Sequence, residues 1–297
     1  MSSQAWIAGV YPSLAPADRG RPESYATLAE AGFADGLELP YLGESSVEDW
    51  LALAPLIAGK FPRCVVTTIP SDMAMQNTVP GYGLASTSAG ARQAALREHR
   101  AVRDGVAALT EAADARVVEW VQLHSAPSRD GDPEQFFASL HEILGWNWSG
   151  AHLVVEHCDG RGAAREGGKQ LLDLSDELEV CNQLDIGVTI NWGRSVLEGK
   201  GPEQALKHVK EAVGYGALAG VMFSGIGPTA SEGGGPWADV HLAMSEDEPV
   251  SLMTAAAVAE CARAARDASY LGAKMHVPTG RDWVEGFRRA HRASTLR

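Results

Sequence analysis

The chain has 297 residues, with 25 Lys plus Arg against 38 Asp plus Glu and a formal net charge of −13. With 45% hydrophobic and 21% charged residues it can fill a large core, which excludes intrinsic disorder and collagen-like or disulfide-framework classes. The acidic balance argues against nucleic acid or an anionic membrane as the main partner, since both select a basic face, and no apolar run approaches the ~20 residues of a membrane span.

Short apolar, β-branched runs alternate with longer helical patterns along the chain. Strands are predicted at Trp6–Val10, Gly36–Leu39, Cys64–Ile69, Val117–His124, His152–His157, Ile186–Asn191, Leu218–Ser224 and Ala273–Val277. Runs apolar on both faces, such as Leu153-Val154-Val155, suit a parallel sheet buried on both sides. Between them, Tyr25, Leu28 and Ala29 share one helix face, with Gly32 at its end. Asp132-Pro133-Glu134-Gln135 is a helix start, with Asp as cap, Pro in the first turn and Gln bonding back. Pro202-Glu203 opens a helix with Leu206, Val209 and Val213 as its stripe, and Trp283, Phe287 and Ala290 mark the last. This alternation predicts an α/β fold: one (β/α)₈ TIM barrel across residues 1–297, with long loops after strands 3 (Ser71–Ser88) and 7 (Gly225–Glu248). Both loops follow strand C-termini, where barrels place their sites, and at least one is expected to cover the pocket. Cys64, Cys158, Cys181 and Cys261 form no C-x-x-C pair and read as buried free thiols in a reducing cytoplasm. Met1–Val10 lacks a basic-then-apolar leader.

Polar residues gather where the strand patterns stop. Glu38 ends the second strand, His124 the fourth, Glu156 and His157 the fifth, Asn191 the sixth and Ser224 the seventh. Asp239 and His241 lie in the next loop, and Lys274 and His276 share one parity on the eighth strand. In a barrel these ends converge on one mouth. Glu156 is the strongest candidate, because a carboxylate inside a barrel needs a metal, a cation or a substrate; the bland alternative is an ion pair with Arg161 or Arg165. His157 should point to the opposite face. Arg194 either is an exposed helix-start charge or clamps a substrate carboxylate or phosphate. Lys274 either pairs with Glu156 or Glu38 or acts as a base or Schiff-base amine. Trp192 and Trp237 stand where they could stack on a sugar face.

Several of these segments resemble the xylose isomerase-like TIM barrels, a superfamily of sugar isomerases, sugar-phosphate epimerases and an abasic-site endonuclease branch. Gly32–Leu39 looks like its second-strand entry, Val121–Ser125 like its fourth-strand histidine, and Leu153–Glu156 like its fifth-strand metal-binding glutamate. Asp239-Val240-His241 looks like the Asp-x-His that follows its seventh strand. The chain departs from the pattern at Asn191 and Arg194, where Asp and His are usual, at Ser224, and at Lys274-Met275-His276, which replaces a terminal acidic ligand. The resemblance implies a cytoplasmic, carbohydrate-active isomerase, epimerase or lyase that removes a proton beside a carbonyl, with an altered metal site. Glu156, His124, Glu38 and Lys274 would be catalytic, and Asn191, Arg194, Trp192, Trp237 and His276 would bind substrate. Glu156, Asp239, His241 and His124 would hold one divalent metal (manganese, magnesium or zinc), or the site has none. The expected partner is a small carbohydrate, with no nucleic acid and no membrane; the oligomeric state stays open. Two alternatives stand beside this: a metal-free sugar-binding or regulatory barrel, and a metal-independent lyase or aldolase using Lys274.

Overall fold

The computed structural model describes residues 4–15, 18, 23–43, 51–52, 54–162 and 168–296. Its strands are β1 (Ala5–Gly9), β2 (Gly36–Pro40), β3 (Cys64–Thr67), β4 (Val118–Leu123), β5 (His152–His157), β6 (Gly187–Asn191), β7 (Leu218–Phe223) and β8 (Tyr270–Lys274). They close in sequence order into a parallel barrel. The helices are α1 (Glu23–Ala31), α2 (Ile69–Gln76), α3 (Ala89–Ala113), α4 (Pro133–Leu144), α5 (Leu174–Leu184), α6 (Trp192–Gly199), α7 (Pro202–Gly214), α8 (Ala255–Ala264) and α9 (Trp283–Ser294). The predicted (β/α)₈ barrel is present. Among the described residues, no helix is long and apolar enough to cross a membrane.

Strand parity sorts the side chains. Leu153 and Val155 of β5 belong to the large cluster between strands and helices, whereas Val154 joins Ala5, Ile7, Val65, Trp120, Met222 and Tyr270 in an inner plug. Above the plug the interior turns polar, where Gln122 Nε2 donates to the Tyr270 hydroxyl over 3.2 Å and Thr189 also bonds that hydroxyl. One layer further towards the strand C-termini stand the candidate site residues.

Two segments differ from the sequence reading. The eighth strand begins three residues before the predicted start, because Gly272 is a packing glycine and not a breaker. A Cβ there would lie 2.5 Å from the Ile7 carbonyl oxygen and 2.7 Å from the Met222 sulfur. His276 therefore lies beyond β8. The segment after β3 is also not all loop. Residues 69–76 form α2, with Pro70 in its first turn and Asp72 beside its N-terminus, a start signal that reads equally as a turn. The loop after β7 folds back on the barrel end: Gly225 and Leu242 exchange backbone bonds of 2.9 and 2.8 Å, and Leu242 bridges to His276.

Candidate active site

Glu38, His124, Glu156, Asn191 and Lys274 converge at the strand C-termini, each 3% exposed or less. Lys274 Nζ lies 3.1 Å from Glu38 Oε1 and 3.9 Å from Glu156 Oε1. Gly9 of β1, registered beside Lys274, makes this pairing feasible. A Cβ on Gly9 would fall 2.9 Å from Glu38 Oε2 and 3.2 Å from Lys274 Cβ. Glu156 is engaged on both oxygens: His124 Nε2 sits 2.8 Å from Oε2, and Asn191 Nδ2 donates to Oε1 over 3.0 Å. The other His124 nitrogen, Nδ1, is 3.0 Å from Thr68 Oγ1 and 3.4 Å from Asp72 Oδ2. Thr68 Oγ1 donates to Asp72 over 2.9 Å.

The two carboxylates are driven apart electrostatically. Burial pushes Glu38 up to about 7, with Lys274 only partly offsetting it. For Glu156, burial is outweighed by Lys274, His124 and Asn191, which bring it down to about 2. Burial disfavours the Lys274 ammonium, but Glu156 and Glu38 hold its pKa well above the ordinary lysine value. His124 is likewise raised against burial, by Asp72 and Glu156.

A second group flanks this cluster on a more exposed side. Arg194 Nε donates to Asp159 over 2.8 Å, and Arg194 Nη1 lies 3.2 Å from Asp239, which Lys169 also pairs. Burial opposes ionisation of Asp239, but Lys169 and Arg194 keep it well below the usual carboxylate range. His241 Nδ1 bonds Ser224 Oγ at 2.9 Å, and burial with the nearby cations lowers it to about 4 despite Asp239. The side chains of His241 and Asp239 are 20% and 29% exposed, making theirs the solvent side among the described residues. A cleft of about 610 Å³ at the opposite end of the barrel, lined by Trp120, Leu153 and Leu218, contains none of these groups.

Other expected site residues stand elsewhere or are already occupied. Trp192 starts α6 fully buried in the strand–helix core, so it offers no face to a sugar; its indole is the apolar anchor of the helix. Trp237 has the Lys200 ammonium over its ring at 4.3 Å. His276 donates its backbone N–H to the His241 carbonyl over 2.6 Å. Arg194 is a buried structural partner of Asp159 and Asp239, not an exposed charge. Arg161 pairs with Asp176 and not with Glu156, and Arg165 lies outside the described residues. Sequence reasoning missed Thr68 and Asp72, although the helix start after β3 could have indicated them. It also missed Tyr11, whose ring meets that of His241 edge-on at 6.4 Å.

The four expected metal ligands do not form one cluster. Among the described residues, His124 and Glu156 group instead with Cys158, their ligand atoms within 4.8 Å of one another, while Asp239 is drawn off by Lys169 and Arg194. That grouping could hold an ion, but it would share Glu156 with a fixed cation. The buried Lys274 ammonium already sits beside Glu156 and Glu38 and competes with any second cation for their charge.

A protein family described only as a domain of unknown function, DUF4862, matches residues 7–286. The chain belongs to DUF4862. A relative from Salmonella typhimurium strain LT2, described as uncharacterised, is 33% identical over 279 residues, covering 89% of this chain and 86% of its own. Among solved structures, D-allulose 3-epimerase from Methylomonas sp. in complex with D-allulose aligns with this DUF4862 barrel at a TM-score of 0.59 and 13% identity, covering 98% of this chain and 96% of its own. A sugar phosphate isomerase/epimerase from Parabacteroides distasonis aligns at 0.54 and 10%, covering 99% and 95%. An AP endonuclease of family 2 from Brucella melitensis aligns at 0.56 and 15%, covering 96% of each chain. The structural neighbours of this DUF4862 protein are thus xylose isomerase-like TIM barrels, as the sequence motifs implied.

Proposed function

We propose that this DUF4862 protein is a cytoplasmic sugar isomerase or epimerase that moves a proton on carbon beside a carbonyl, without a divalent metal at the mouth. One observation carries the reading: Glu38 is a buried carboxylate beside the Lys274 ammonium, and its Oε2 has no hydrogen-bond partner among the described residues. A base needs an unengaged lone pair and a pKa near the working pH; Glu38 offers both. Its carboxylate takes the proton from carbon and returns it to the neighbouring carbon on the same face; inversion at a single carbon would need a second acid on the other face of the sugar. Negative charge then develops on the former carbonyl oxygen, where the Lys274 ammonium is the available electrophile. Glu156, fully engaged and ionised, keeps Lys274 charged and positions it together with His124 and Asn191.

That same charge disfavours the aldolase reading, since a Schiff base requires a neutral amine and Lys274 is held as ammonium by two carboxylates. The substrate class is an uncharged carbohydrate, because Lys169 and Arg194, which could hold a phosphate, are both committed to Asp239. A net charge of −13 supports the exclusion of nucleic acid, and four free cysteines support a reducing compartment.

The test is hydrogen exchange in D₂O, followed by NMR, on a panel of unphosphorylated ketohexoses and aldohexoses. Deuterium should enter at carbon beside the carbonyl, persist after chelation, and be lost in Glu38→Gln. Sugar binding without exchange or conversion would favour the rival, a binding barrel without catalysis.

A further inference from the structure

Behind the barrel wall, one residue past Glu156, a second cluster faces the helices, with both histidines buried and Glu198 partly exposed. His157 Nε2 lies 3.8 Å from Glu198 Oε2, and His208 Nε2 lies 3.5 Å from Glu198 Oε1. The two imidazole rings meet edge-on with centroids 5.0 Å apart. We propose that His157, Glu198 and His208 form a zinc-class metal site that ties α6 and α7 to the end of β5.

Four features of the cluster point the same way. The ligand atoms of the three residues lie within 4.8 Å of one another, and the two contacts of Glu198, 3.5 and 3.8 Å, approach the ~3.4 Å edge of a tetrahedron with bonds of about 2.0–2.2 Å. Each histidine has its far nitrogen occupied. His157 Nδ1 is 2.7 Å from Glu177 Oε2 and His208 Nδ1 is 2.9 Å from Ser195 Oγ, which directs both Nε2 atoms inward. A carboxylate or hydroxyl behind the imidazole is how metal-bound histidines are oriented. His157 Nε2 is fully buried and has no hydrogen-bond partner among the described residues. A fourth donor is at hand in Gln204, whose amide end lies 2.7 Å from His208 Nε2 and 3.4 Å from Glu198 Oε1. Turned over, that amide presents its oxygen. Gly199 permits the approach, since a Cβ there would fall 2.3 Å from Gln204 Cβ.

The chemistry selects the ion. Two imidazoles with one carboxylate suit zinc and its neighbours better than magnesium or calcium. Among the described residues, the ion pairs of Glu177 and Glu198 are with histidines alone, with no lysine or arginine. Without a metal, the balancing charge is a proton on His157, which Glu177 and Glu198 hold in place against burial. The site is separate from the mouth, and its failure would leave the reading of Glu38 and Lys274 untouched.

The test uses the full-length chain without an affinity tag, stripped with a chelator and then titrated with zinc. One zinc per chain is expected, with X-ray absorption showing only nitrogen and oxygen ligands, including imidazoles. Bound zinc should raise the unfolding temperature in proportion to the logarithm of its concentration. His208→Gln keeps volume and polarity and should weaken binding ~100-fold or more, while Cys158→Ser, which alters the grouping at the mouth, should retain it. If His208→Gln does not fold, Glu198→Gln serves in its place with the same expected loss. A protein that holds no zinc at micromolar concentrations, a sulfur ligand in the absorption spectrum, or undiminished binding in a folded variant would each overturn the site in favour of a metal-free imidazolium–carboxylate network.

Discussion

Two clusters of histidine and glutamate stand back to back across the end of β5. Facing inward, His124 and Glu156 meet Lys274; facing outward, His157 meets Glu177, Glu198 and His208. Both are rich in carboxylates, the inner one buried and the outer one buried except for a partly exposed Glu198, but they neutralise their charge differently. The inner cluster carries a covalently attached cation, and its carboxylates are split between a fixed anion, Glu156, and a near-neutral group, Glu38. In the outer one the groups that face the carboxylates are imidazoles. A lysine among carboxylates builds a polar centre for proton chemistry, whereas histidines among carboxylates build a socket. Residue identity at a barrel mouth therefore says less than which cation accompanies it.

The sharpest way to break the inner cluster is to remove its cation. Lys274→Met leaves Glu38 and Glu156 buried without their ammonium and should cost about 3–5 kcal/mol of stability, measured by urea unfolding at pH 8. A loss below about 1 kcal/mol would show that another cation balances the pair. Glu156→Gln should lower turnover of the native sugar by about 10²–10⁴-fold while the fold persists, because Lys274 retains Glu38. Equal activity in mutant and wild type would remove Glu156 from the working residues.

Gly9→Ala places a methyl group against Glu38 Oε2 and should cost about 1–3 kcal/mol, with the Glu38–Lys274 contact lengthened in a crystal structure. Glu38→Gln sharpens the comparison through pH. Glu38 has its folded value raised to about 7 from an ordinary 4.5. At pH below the unfolded value, both states are protonated and nothing is lost. As pH rises towards and past the folded value, the unfolded chain releases its proton more readily, so stability declines. Thermal unfolding across this window should show a shallower decline in Glu38→Gln than in wild type; identical slopes would mean Glu38 ionises normally. A further test lies on the outer side. Ser125→Ala removes a donor from Glu177 and should cost about 1–3 kcal/mol in the same unfolding assay, with the inner cluster's pH profile unchanged.

The barrel was legible because each strand announces itself as an apolar run, and the parity of Glu156 against His157 follows from strand geometry alone. The start of β8 was obscured because Gly272, pressed against the Ile7 carbonyl, reads like a breaker. For the site, Glu38, His124, Glu156 and Lys274 were visible at strand ends, and the pairing of Lys274 with Glu38 stood among the stated alternatives. Thr68 and Asp72 were overlooked although the end of the third strand and the helix start after it carry them, and Tyr11 was not visible, since it lies in a turn whose path no periodicity records. Trp192 misled because a tryptophan after a strand looks equally suited to a pocket or a core. The outer cluster draws Glu177, Glu198 and His208 from three different helices, and no spacing in the sequence joins them.

The alternation on β5 also bears on how the chain avoids mispairing. A slip of one residue would turn His157 towards Lys274 and Glu156 towards Glu177 and Glu198, setting like charges together on both sides of the wall. An apolar strand such as Leu153–Val155 would tolerate that slip with little complaint, since both its faces are greasy. The two charged residues at its end act as a checksum: misregistered barrels are penalised twice, before any substrate has been met.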